Sequence, residues 1–196
     1  MADDLITMVT TDHRELKRLF DMMQTDKDSR PLALPLAVAM LEAHSEAEED
    51  RVYPAVAREA GEKDEAEHAA EEHHQAESLG KHLLEMDWES GEFDQALEDW
   101  IGAVLQHVEE EENEILPALR DAVEPDRLRQ LGLEFASRRS KALAGQPLRA
   151  GTGQQRKSGG ETRAELYERA RELGIEGRSS MTKEELARQV SKAQRR

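Results

Sequence analysis

The chain has 196 residues, with 27 Lys+Arg against 43 Asp+Glu and a formal net charge of −16 at pH 7. Cysteine is absent, which excludes disulfide frameworks, thiolate-bound zinc, Cys-ligated iron–sulfur clusters and cysteine nucleophiles. No apolar run approaches the roughly 20 residues of a membrane span, and the acidic start Met1-Ala2-Asp3-Asp4 lacks the basic and apolar regions of a signal peptide. The expected compartment is the cytoplasm, with no membrane partner.

Four long helical patterns fill the acidic part of the chain. The first runs from about Asp3 to Thr25, with Leu5, Met8, His13, Leu16, Phe20 and Met23 near one face. After a break at Asp28-Ser29-Arg30-Pro31, the second runs to about Ala60. Its stripe holds Leu34, Val38, Leu41, His44, Glu48, Val52 and Ala55, and Gly61 ends it. The third covers about Lys63 to Met86, with His73, Ala76, Leu79 and Leu83 in line. Ser90-Gly91 interrupts the chain, and the fourth covers about Phe93 to Ala122 with Leu97, Trp100, Val104, His107, Glu111, Ile115 and Ala118 in its stripe. Long helices with short connections predict an all-α fold, an antiparallel four-helix bundle over 1–124.

A fifth helix is expected over 125–144, because Pro125 suits a first-turn position. Residues 145–160, rich in Gly, Gln and Ser, read as a flexible linker. Beyond it, Thr162 with Glu165 and Thr182 with Glu185 have capping-box spacing. Each precedes a short apolar pattern, so 161–196 is expected to form a small helix–loop–helix module. The charge divides along the same line. From Ser137 onward there are 15 basic and 7 acidic residues, whereas the first 136 residues carry 12 and 36. A split of this size predicts two units with different partners, the first repelling nucleic acid and the second able to attract it.

The second and fourth helices repeat a pattern. His44-x-x-x-Glu48-Glu49-x-x-x-Tyr53-Pro54 aligns with His107-x-x-x-Glu111-Glu112-x-x-x-Leu116-Pro117 at a constant offset of 63. The helices before them echo each other through Asp12-His13 and Glu72-His73, so the unit reads as a duplicated helical hairpin. Residues i and i+4 share a helix face, which pairs His44 with Glu48 and His107 with Glu111 on core stripes. A carboxylate buried without a partner costs several kcal/mol, and no Lys or Arg occupies those stripes at that level. A bound metal supplies the missing charge, and a pair of metals supplies it better. Imidazole and carboxylate suit iron, manganese or zinc, and one Glu from each hairpin suits a dinuclear centre. His13 and either His73 or His74 complete the donor set, with His73 the better aligned of the two. Glu77, Glu49, Asp50, Glu110 and Glu112 read as solvated, the last four within reach of a hydrogen bond to a ligand His. His68 and His82 read as solvent-facing, and Tyr53, Trp88 and Trp100 as packing residues.

On these residues the sequence resembles the hemerythrin-like, or HHE cation-binding, family over roughly Asp3 to Val123. The resemblance implies an oxo- or hydroxo-bridged pair of iron ions that binds or reacts with dioxygen, peroxide or nitric oxide, for sensing or protection against oxidants. It implies metal ligands at His13, His44, Glu48, His73 or His74, His107 and Glu111, with zinc or manganese as alternatives to iron. If the centre turns over, the activity is that of a di-iron oxidoreductase acting on peroxide or oxygen. Oxygen-carrying members have His-x-x-x-His on the third helix and Asp on the fourth. Here His73 is followed at i+4 by Glu77, and His107 by Glu111, which places the chain closer to sensors and peroxide-handling members.

The tail, from Leu166 through Gly174-Ile175-Glu176-Gly177 to Leu186, resembles the helix–extended loop–helix at the N-terminus of transcription termination factor Rho, related in shape to SAP modules. That resemblance implies nucleic-acid binding, with Arg169, Arg171, Arg178, Lys183 and Arg188 available to phosphates. A protein partner is the other expectation for the tail. Two further readings stand beside the oxidant-reactive one: an accessory factor whose bundle metal is structural, and an iron store.

Overall fold

The structure, a computed structural model, describes residues 4–145, 163–175, 177–178 and 181–194. Helix α1 spans Leu5–Thr25, α2 Arg30–Ala47, α3 Lys63–Leu83, α4 Gly91–Glu110, α5 Pro125–Gly145, α6 Arg163–Glu172 and α7 Lys183–Ala193. The described residues contain no strand. Asp4 starts α1 by accepting from the Thr7 amide at 2.9 Å, and Ser90 starts α4 by accepting from the Phe93 amide at 3.1 Å. Each side chain satisfies an amide that has no intrahelical acceptor.

Both α2 and α4 run on into a π-helical turn. These turns, Glu48–Val52 and Glu111–Ile115, are 63 residues apart, the same offset as the sequence repeat. In each, the amide five residues on closes the wide turn: Tyr53 donates to the Glu48 carbonyl and Leu116 to that of Glu111. Pro54 and Pro117 explain the register shift. Proline has no N–H, and its ring crowds the carbonyl four residues back, so the ladder widens just before it. The short helices Tyr53–Ala55 and Leu116–Ala122 follow. On the α2 side, a second π turn, Val56–Ala60, then ends at Gly61 with φ of 81°, a left-handed cap that glycine adopts without strain.

The four long helices enclose two apolar layers. One holds Phe20, Leu34, Val38, Leu83, Phe93 and Trp100. The other holds Leu5, Val9, Tyr53, Val56, Leu116 and Phe135. Trp100 is fully buried and its indole N–H donates to the Ala76 carbonyl at 2.9 Å, which satisfies its polar atom in the core. Helix α5 lies against α1 and α2. A methyl group on Gly132 would stand 2.9 Å from the Leu5 amide nitrogen, so this glycine sets how closely α5 approaches α1.

In the C-terminal module, Leu166, Tyr167, Ala170, Leu186 and Val190 form a third small core. The capping box at Thr182 and Glu185 is present, with the Thr182 amide donating to Glu185 Oε2 at 2.8 Å. The counterpart at Thr162 and Glu165, and the linker expected over 145–160 beyond Gly145, lie outside the described residues. Opposed charges that the sequence alone assigns to different partners here face each other. The Lys183 amide donates to Asp50 Oδ1 at 3.0 Å, Arg178 lies 3.8 Å from Glu71, and the Tyr167 ring stacks on His74 at 4.7 Å.

Candidate metal centre

Between the two apolar layers lies one polar level. His13, His44, Glu48, His73, His107 and Glu111 all reach it, and none is more than 3 % exposed. Two groups of donor atoms form there, each with its atoms within 4.8 Å of one another. The first is His13, His44, Glu48 and Glu111; the second is Glu48, His73 and His107. Glu48 belongs to both.

The ring orientations follow one rule. Every inward His presents Nε2 to the level and gives Nδ1 to a carboxylate on a neighbouring helix or turn. His13 Nδ1 meets Glu112 at 2.9 Å, His44 Nδ1 meets Asp12 at 3.3 Å, His73 Nδ1 meets Glu49 at 3.3 Å, and His107 Nδ1 meets Glu72 at 2.9 Å. Each supporting carboxylate is a chain neighbour of an inward residue: Asp12 precedes His13, Glu72 precedes His73, Glu49 follows Glu48 and Glu112 follows Glu111. The supports thus close a circuit around the bundle. A carboxylate on Nδ1 fixes the proton there and leaves the Nε2 lone pair for a cation.

The carboxylates carry the complementary sign. His44 Nε2 is 3.0 Å from Glu48 Oε2, and His13 Nε2 is 3.2 Å from Glu111 Oε2. Yet all four oxygens of Glu48 and Glu111 are buried without hydrogen-bond geometry to any partner. Buried oxygens left in this condition are costly, and a cation among them removes the cost. The donor set therefore fits bound metal.

Electrostatics describe the same crowding. Burial raises the Glu48 carboxyl, and the Glu111 charge raises it further. Burial acts in the same direction on Glu111, but His13, His107 and His44 outweigh it and hold that carboxyl below its usual range. Burial alone would lower His44; Glu48 and Asp12 reverse this and carry the imidazole up to about 10. Burial together with the neighbouring His107 pushes His73 down to about 4. Tyr53 puts its hydroxyl 3.3 Å from His73 Nε2 and 3.5 Å from His107 Nε2. Its ring packs in the core, while its oxygen faces the second donor group.

Residues 4–119 match the hemerythrin HHE cation binding domain, and residues 162–196 match the Rho termination factor N-terminal domain. The chain belongs to the hemerythrin HHE family. A DNA nickase from Nostoc sp. is 29% identical to it over 153 residues, which cover 74% of this chain and 42% of that protein. The HHE chain therefore spans less than half the length of that curated relative. No solved structure matches it. Among the described residues no helix is long and apolar enough to cross a membrane.

The HHE bundle brings six of the seven candidate ligands together and leaves His74 out. Its ring points to the outer flank, 3.8 Å from Glu49 and stacked on Tyr167. Three expected exposures are corrected. Glu49 and Asp50 are 1% exposed and Glu77 is 6% exposed. Their polar partners are His73 for Glu49, Arg138 for Asp50 and Lys81 for Glu77. Helix α5, outside the family match, contributes to the centre. Arg139 bonds Asp12, which holds His44, and Phe135 meets the His44 ring edge-on at 5.6 Å. The offset of 63 that marks Glu48 and Glu111 also marks Glu49 and Glu112, so the supports had a sequence signal. Arg139 had none.

Of the residues expected at phosphates, Arg178 lies over the Tyr167 ring and near Glu71, and Lys183 lies 3.5 Å from Glu46. Arg171 pairs with Glu168, and Arg188 donates to the Glu184 carbonyl. Arg169 also has an interaction partner.

Proposed function

We propose that the chain is a di-iron HHE protein that binds or reacts with dioxygen, peroxide or nitric oxide, for sensing or for protection against oxidants. The observation that carries this reading is Glu48, shared by two donor groups, because one carboxylate serving both groups suits a pair of metals rather than one. Imidazole and carboxylate suit iron, with zinc and manganese as alternatives, and the absence of thiolate argues against a thiolate-bound structural zinc site. Bound iron supplies the affinity for small oxidants and the electrons for their reduction. The chain's residues hold the Nε2 atoms inward and keep each proton on Nδ1, which donates it to the supporting carboxylate. The apolar layers on either side limit water.

The test is anaerobic reconstitution with ferrous iron followed by exposure to oxygen, peroxide or nitric oxide. The expected result is new near-ultraviolet and visible absorption, absent in His44→Ala. Unchanged spectra with every oxidant, or full metal retention in His44→Ala, would overturn the reading.

A second reading is favoured by two observations, the Rho N-terminal match and the similarity to a DNA nickase. In it the protein works on or beside nucleic acid, and the bundle metal is structural. Metal-dependent retention of the fold with no oxidant chemistry, together with salt-dependent nucleic-acid binding, would favour this second reading.

A further inference from the structure

The contact between the C-terminal module and the bundle has a specific composition. Tyr167, the aromatic residue of α6, stacks on the His74 ring with centroids 4.7 Å apart and planes inclined by 29°. Arg178 covers the other reach of Tyr167, 5.3 Å from its centroid, and lies 3.8 Å from a Glu71 oxygen. Lys183 directs its ammonium to Glu46 at 3.5 Å and its amide to Asp50 at 3.0 Å. The module thus offers one aromatic ring with a cation against it, and a second cation whose amide stands at a helix start. The bundle answers with one flat ring and three carboxylates.

Single-strand recognition uses these same elements: an unpaired base stacked on an aromatic ring, with phosphates met by cations and by amides at a helix start. We propose that the Tyr167–Arg178–Lys183 face is a binding surface for single-stranded nucleic acid, which the bundle occupies by presenting His74 as a base and Glu46, Asp50 and Glu71 as phosphates. Strand and bundle therefore exclude one another. The proposal rests on the nucleic-acid reading above and goes beyond it by naming the surface and its internal competitor. Release of the module would also free the face of His74 on which Tyr167 stacks, and His74 lies 3.8 Å from Glu49, which holds His73, so strand binding reaches the flank of the metal centre.

The full chain allows a direct test. A zero-length carbodiimide joins an ammonium to a carboxylate only where they touch, and Lys183 with Glu46 is such a pair. The expected result is a Lys183–Glu46 cross-link, mapped by mass spectrometry, that disappears as a labelled single-stranded oligodeoxynucleotide saturates the protein. The Glu46→Gln/Glu71→Gln variant should bind that strand about tenfold more tightly. A control of equal charge, Glu85→Gln/Glu98→Gln, should change affinity much less. A cross-link that persists at saturation overturns the competition and leaves the nucleic-acid reading standing. No cross-link in the free protein overturns the docked arrangement. Absence of strand binding in both the native chain and the Glu46→Gln/Glu71→Gln variant overturns the nucleic-acid reading and the proposal together.

Discussion

Glu48 and Glu111, 63 residues apart in the chain, place carboxylate oxygens within 4.8 Å of each other at the centre of the bundle, and neither is exposed to solvent. Two like charges so close and so buried oppose folding unless a cation or a proton lies between them. Without metal, Glu48→Gln should therefore stabilise the protein by relieving this repulsion, by on the order of 1 kcal/mol. The same substitution should weaken metal binding. Thermal unfolding with and without metal checks both halves: the variant should melt higher than the native chain without metal and gain less from metal.

Arg139 acts on the centre from outside the four-helix unit. It bonds Asp12, which holds Nδ1 of His44. Burial raises the Asp12 carboxyl, but His44 and Arg139 outweigh burial and keep it ionised. Arg139→Ala should loosen the His44 ring and lower metal affinity by roughly tenfold, the lower end for loss of an outer support. Competition with a chromophoric chelator measures this, and unchanged helical circular dichroism would separate it from unfolding.

Glu77 offers a pH-dependent signature. Burial pushes its carboxyl up to about 8, even with Lys81 at 3.2 Å acting to lower it. The folded protein therefore holds this proton more tightly than the unfolded chain. The resulting stability is complete below the ordinary carboxyl range and is lost as pH rises through about 8. Glu77→Gln should remove that loss, so the variant's advantage over the native chain should grow between pH 5 and 8.5. Denaturant unfolding of the metal-free protein across that range reads it out, with a slope of up to roughly 1.4 kcal/mol per pH unit.

The approach of α5 to α1 is tight enough to test by one methyl group. Gly132→Ala would place a carbon 2.9 Å from the Leu5 nitrogen, a backbone atom that cannot rotate away. A cost of about 1–3 kcal/mol is expected, seen as a lower melting temperature. If the melting temperature is unchanged, α5 is held less closely than the structure places it.

Much of the bundle was legible from the chain because its stripes are long and its breakers are few. His13, His44, Glu48, His73, His107 and Glu111 stood on those stripes, and the structure draws them to one level. Legibility ended where burial depends on another element. Glu49, Asp50 and Glu77 looked solvated because charged residues usually are. Glu49 is met by His73, and Asp50 by Arg138 and the Lys183 amide, all on other elements that periodicity does not associate with them; Lys81, by contrast, stands four residues after Glu77 on the same helix face. His74 and His73 are adjacent, about 100° apart around the helix, and the alignment with Ala76, Leu79 and Leu83 favoured His73, which is the one that faces inward. The π turns were marked by Pro54 and Pro117, but a period of 3.6 does not display a widened turn. The docking of the module rests on surface complementarity between segments 93 to 137 residues apart, which no local pattern encodes.

On the proposed reading, Glu48 joins two metal sites in one chain. The most direct measurement is elemental analysis of anaerobically purified protein beside its Glu48→Gln variant, normalised to chain concentration. Two irons per native chain, with loss of both or weak retention of one in the variant, is the predicted result. One metal per native chain, or two metals that Glu48→Gln leaves in place, would contradict it.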